Sequence, residues 1–105
     1  MPSFILATRL AHGALKSSAD LGQLEKDVKR RIRQNCPDVK WLSSFATLGP
    51  YDYIDVFSAP DIETATKVAT IIRSFGHAHT ETWPAIEWKQ FKTIAHDIAG
   101  IVEAP

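Results

Sequence analysis

The stretch Phe45-Ala-Thr-Leu-Gly-Pro-Tyr-Asp-Tyr-Ile-Asp-Val-Phe-Ser-Ala-Pro60 sets two apolar runs on either side of Gly49-Pro50-Tyr51-Asp52. Runs rich in aromatic and β-branched residues, parted by a Gly-Pro turn, read as two strands of a hairpin, over 38–48 and 51–59. Pro50 fixes one backbone angle, Gly49 accepts the conformation that precedes a proline, and the Asp52 carboxylate satisfies free amides of the turn. Such a turn also sets register, and a slip of one residue would send Tyr53, Asp55 and Phe57 to the other side of the sheet.

Outward from the hairpin, SFILATRL (3–10) is a short β-rich run followed by the turn-prone His12-Gly13. Between it and the hairpin, Leu21, Leu24, Val28 and Ile32 recur at the spacing of one helical stripe. Ser17, Ser18 or Asp20 can cap that helix, Lys29, Arg30, Arg31 and Arg33 suit the negative end of its dipole, and Pro37 closes it. Beyond Pro60, Asp61 offers an N-cap for a helix striped by Ile62, Ala65, Ala69 and Ile72, and Gly76 supplies its C-terminal stop. HAHTETW (77–83) alternates as a strand does, and residues 87–100 make a last amphipathic helix through Trp88, Phe91, Ala95 and Ile98.

The order β-α-β-β-α-β-α predicts an α+β chain: a ferredoxin-like βαββαβ domain over 1–105 with an extra C-terminal helix. Right-handed crossovers then give an antiparallel four-stranded sheet in the order 4-1-3-2. Twelve basic residues balance twelve acidic ones, so no global field draws nucleic acid or an anionic membrane. The basic run Lys26, Lys29, Arg30, Arg31 and Arg33 spreads over the solvated side of its helix without interleaved aromatics, a poor footprint for nucleic acid. The lone Cys36 excludes an internal disulfide and fits a reducing compartment. With too early an arginine for a signal peptide in MPSFILATRL and no run long enough to span a bilayer, the expected location is the cytoplasm.

Alternation divides the strands into two faces. Phe4, Leu6, Thr8, Leu10, Leu42, Ala46, Leu48, Ile54, Val56, Ala78, Thr80 and Thr82 are assigned to the side under the two crossover helices. Ile5, Ala7, Arg9, Ser43, Phe45, Thr47, Tyr53, Asp55, Phe57, His77, His79, Glu81 and Trp83 are assigned to the open side. So many large aromatics on an uncovered face predict a cover, and a second copy of the sheet provides one, as a homodimer or higher oligomer. The alternative cover is the last helix folded across that face, while Trp88 and Phe91 are expected to pack it against the body of the protein.

ATLGPYDYIDVFSAPD (46–61), with Gly49, Tyr51 and Asp52 at the naming positions, resembles the signature of the GYD domain family of small bacterial and archaeal proteins. GHAHTETWPA (76–85) and SFILATRL are similar to its fourth and first strands. The resemblance implies a ferredoxin-like chain that associates as a dimeric α/β barrel. Barrels of that kind include cofactor-independent monooxygenases, haem-dependent enzymes and ligand-binding regulators, so the resemblance implies no single reaction.

The candidate site follows from the open face. Arg9, Phe45, Tyr51, Tyr53, Phe57, His77 and Trp83 are candidate ligand-binding residues, and Asp55, His79 and Glu81 are candidates for proton transfer, because a carboxylate among aromatics needs a partner. The bland reading of the same charges is an ion-pair network that fixes the dimer's register. His77, His79 and Glu81 offer metal-ligand chemistry on one strand face, but two histidines without a clear third ligand are a weak signal, and Arg9 on the neighbouring strand argues against a cation. No metal or cofactor is expected, since there is no phosphate loop, nucleophilic triad or cysteine nucleophile pattern. The expected function is binding of a small, partly apolar molecule in the dimer, with proton-transfer or cofactor-independent oxidative chemistry if it is an enzyme. A structural or regulatory interaction module is the alternative.

Overall fold

The computed structural model describes residues 1–11, 18–75 and 78–99. The elements are β1 (Ser3–Leu10), α1 (Ser18–Asn35), β2 (Lys40–Ala46), β3 (Tyr53–Ser58), α2 (Ile62–Ser74), β4 (Ala78–Ala85) and α3 (Trp88–Asp97). The strands pair antiparallel in the order β2-β3-β1-β4, the expected 4-1-3-2 read from the other edge. β4 is an edge strand, where Pro84 is tolerated because one side of the strand needs no ladder bond.

The helix ends follow the local chemistry. Asp61 Oδ1 accepts the Thr64 N–H at 2.7 Å and caps α2. The Cys36 N–H donates to the Ile32 carbonyl at 2.7 Å as α1 runs out before Pro37. The expected turn at His12-Gly13 and the stop at Gly76 lie outside the described residues, and the α2 cap that is described is Phe75.

The core joins Phe4, Leu6 and Phe57 of the sheet to Ile32 and Cys36 of α1 and to Ala65 and Val68 of α2. Its centre is an aromatic stack: the Phe57 ring lies between Phe4 and Trp41, each at a centroid distance of 5.5 Å. This corrects the face assignment of β3. Residues directly opposite in an antiparallel ladder share a face, and Phe4, Leu6 and Thr8 stand opposite Phe57, Asp55 and Tyr53. The alternate set of β3 is therefore the helix-facing one, and Ile54 and Val56 belong to the open face with Ile5 and Ala7.

Two local features cause the difference. The Asp52 N–H donates to the Thr8 carbonyl at 2.8 Å and Asp52 Oδ2 accepts the Leu10 N–H at 2.7 Å, so the turn is clamped to β1 with Tyr53 opposite Thr8. A burial argument agrees, because a fully enclosed Phe57 removes more apolar area from water than Val56 would. In β2, a bulge between Trp41 and Ser43 turns Trp41 onto the core while Leu42 is exposed, contrary to its assignment to the helix side.

α3 also departs from expectation. It buries none of its residues, and Trp88 is 70% exposed. Trp88 and Phe91 pack on each other, ring centroids 5.2 Å apart, rather than on the body of the protein. Phe91, Ile94 and Ile98 continue the exposed stripe, so the helix does not cover the open sheet face.

Candidate functional site

The open face gathers part of the expected site around Tyr51. Ladder pairing sets Arg9 opposite His79, Ala7 opposite Glu81 and Ile5 opposite Trp83, so all of these share the face away from the helices. The GPYD turn folds back over this end of the sheet: Arg9 Nε donates to the Pro50 carbonyl at 3.0 Å. Arg9 then lies over the Tyr51 ring at 5.4 Å, and Tyr51 meets Trp83 edge to face at 6.1 Å. Trp83 Nε1 reaches Glu81 Oε1 at 3.4 Å. Farther along the sheet, Phe45 pairs with Ile54 and is largely exposed.

Asp52 is scaffolding within this arrangement. Besides its bonds to Thr8 and Leu10, its carbonyl accepts the Thr47 N–H at 3.0 Å, and the Thr47 hydroxyl donates to the Tyr51 carbonyl. Glycine at 49 meets open space where a side chain would start. The turn is thus built to hold Tyr51 between Arg9 and Trp83.

The other expected site residues are elsewhere. Phe57 is core. Tyr53 and Asp55 face the helices, so Asp55 does not join Arg9, His79 and Glu81. Asp55 stands beside Ser44 and under α1, where burial pushes its carboxyl above the ordinary carboxylate range; hydrogen bonds from Ser44 and Trp41 and the Lys29 charge oppose that rise, and Glu25 adds to it. Burial, followed by the charge of Asp52, raises the Tyr53 phenol. Burial likewise raises the Cys36 thiol, partly offset by Lys67, which leaves it a poor nucleophile. His77 lies outside the described residues. Among the described residues no group of three His, Cys, Asp or Glu side chains could hold a metal ion.

Sequence reasoning missed Trp41, whose indole Nε1 donates to Ser44 Oγ at 2.9 Å on the helix side. Only the bulge brings it there, and nothing in alternation marks a bulge. It also missed the exposure of α3, since an amphipathic stripe looks the same whether its partner belongs to the same chain or another.

Chemically, the open face is a cation–π and aromatic cluster bordered by a carboxylate, set in a sheet surface that includes Ile5, Ile54, Val56 and Phe45. Tryptophan, tyrosine and arginine are the residue types that dominate the energetics of protein interfaces, because each supplies a large contact area with a polar handle.

Comparison with known proteins agrees with this architecture. The GYD domain profile matches residues 4–95. A curated Thermus thermophilus protein named "Glutamine synthetase and cystathionine beta-lyase binding protein" is 28% identical over 86 residues, which cover 82% of this chain and 90% of that protein. A crystal structure from Thermus thermophilus superposes with a TM-score of 0.55 at 20% identity, over 83% of this chain and 95% of that one. The structure of FFRP-DM1 superposes with a TM-score of 0.52 at 22% identity, over 82% and 100%.

Proposed function

We propose, since the chain belongs to the GYD domain family, that it is a binding protein that works through protein–protein contacts on its open sheet face. The observation that carries this reading is the Arg9–Tyr51–Trp83 stack, with Trp83 40% exposed on a face that no described element of the chain covers. The name of the Thermus thermophilus relative, as a binding protein for two enzymes, points the same way. Moving Tyr53 and Phe57 to the helix side removes two walls from the small-molecule pocket expected on this face, which shifts the balance toward a protein partner.

Self-association competes for the same face: a sheet paired with a second copy as an α/β-barrel dimer would cover the Arg9–Tyr51–Trp83 surface, and the exposed stripe of α3 would then be the apolar surface left for an enzyme. With its single buried thiol, the protein operates in the reducing cytoplasm.

The test is titration of the purified chain with the glutamine synthetase and the cystathionine β-lyase of the organism that makes it, by calorimetry. Saturable binding to either enzyme, weakened roughly tenfold or more by Arg9→Ala or Trp83→Ala, is the expected result. Absence of binding to both, or binding indifferent to both substitutions, overturns the assignment.

A further inference from the structure

Beneath α1 the molecule holds a cavity of 390 Å³, on the face of the sheet opposite the interaction surface. Its walls are apolar: Leu10 of β1, Leu21, Leu24, Val28 and Ile32 of α1, and Phe75 at the end of α2. It is a cleft, open to solvent along Leu21, Glu25 and Lys29, and its volume is within the range of small-ligand sites. It equals roughly thirteen water volumes at about 30 Å³ each, yet the surface around it offers water few partners. Aliphatic walls of this extent suit an apolar body.

The polar groups are gathered at the floor and one rim. Asp55 lies at the floor with Ser44 and Trp41, the indole N–H of Trp41 being donated to the Ser44 hydroxyl at 2.9 Å. On the rim, Glu25 and Lys29 pair with each other at 3.2 Å, one helical turn apart. Among the described residues these three are the charged side chains lining the cavity, and together they carry one net negative charge, with the Lys29 ammonium already engaged by Glu25. Among the described residues no cation lies within ion-pair distance of Asp55. Lys29 acts on Asp55 only from beyond ion-pair distance and is itself held by Glu25, so among the described residues this partly desolvated carboxylate has no cation in direct contact.

We propose that this cavity is a binding site for a small apolar amine, its hydrocarbon body between α1 and the sheet and its ammonium paired with Asp55. An alcohol of the same shape could fill the walls but would bring no charge to the floor, and a carboxylic acid would add a second negative charge beside Asp55. Charge rather than shape therefore sets the selectivity.

Calorimetric titration of the full chain with 2-phenylethylamine, 2-phenylethanol and 3-phenylpropionate tests this directly. The amine should bind at least tenfold more tightly than either of the others. Asp55→Asn should erase that preference, and Leu24→Trp, which fills the cavity, should remove binding of all three. Equal affinities in the wild-type protein, no binding of any probe, or a preference that survives Asp55→Asn overturns the site. Because the walls and floor share no residue with the Arg9–Tyr51–Trp83 surface, loss of enzyme binding in Arg9→Ala leaves this outcome unaffected.

Discussion

Asp55 shows what one side chain's placement decides. Its acid form is favoured in the folded state by burial, so between the unfolded and the raised folded pKa the native protein holds more protons than the unfolded chain. Stability contributed by this group is therefore present at low pH and is lost as pH rises through that window. Asp55→Asn removes the buried charge, and the variant should melt higher than the wild type at neutral pH, the gap closing as pH falls below the raised value; melting curves across pH check it, and a gap that widens in acid would contradict the burial argument. A second residue-scale case lies under α2, where the buried hydroxyl oxygens of Thr80 and Thr82 have no hydrogen-bond partner among the described residues. Replacing an unsatisfied hydroxyl by a methyl of the same shape removes a desolvation cost, so Thr80→Val should stabilise by about 1 kcal/mol. Denaturant unfolding measures this, and a loss of stability instead would mean that ordered water satisfies the hydroxyl.

At the scale of elements, the hairpin turn carries more than local chemistry. Its Asp52 anchors β1 through Thr8 and Leu10, so the turn fixes how β3 lies on β1 as well as how β2 meets β3. Asp52→Ala should cost about 1 kcal/mol and speed amide exchange at Leu10, while the Asp61-capped α2 keeps its protection. Equal loosening of both elements would show a global rather than a hairpin effect. The same clamp explains what the sequence could disclose. Helix periodicity, the Asp61 cap and the strand order were legible because each depends on spacing within one segment or on general crossover rules. The faces of β1 and β4 were legible too, since Phe4 and Leu6 alternate cleanly with Ala7 and Arg9. The face of β3 was not: Ile54 and Val56 compete with Tyr53 and Phe57 for the core, and the winner is chosen by a tertiary contact from Asp52 to a strand more than forty residues away. Trp41 is hidden for a related reason, because a bulge inserts one residue and reverses every alternation argument on its near side. Arg9, Glu81 and Trp83 share one face, with Tyr51 against it, because they rest on strands whose alternation is unambiguous.

Across the whole molecule, shape and apolar surface point to association. The chain measures 56 × 30 × 18 Å with a radius of gyration of 16.7 Å, against about 13 Å for a compact protein of this length. Among the described residues, an elongated body with a helix that buries no residue leaves two uncovered apolar features, the α3 stripe and the open sheet face, and covering both would offset the cost of exposing Trp88, Phe91 and Trp83 to water. If a second copy provides that cover, charge placed in either feature should prevent it. Trp83→Lys and Phe91→Lys should each convert a sedimenting dimer to a monomer, with unchanged circular dichroism, because both positions are exposed in the isolated chain and carry no packing of the core. A wild-type protein that sediments as a monomer at every accessible concentration would leave the two features to a different partner. A dimer that tolerates Phe91→Lys but not Trp83→Lys would confine the contact to the sheets and free α3 for the enzyme that the open face was proposed to bind.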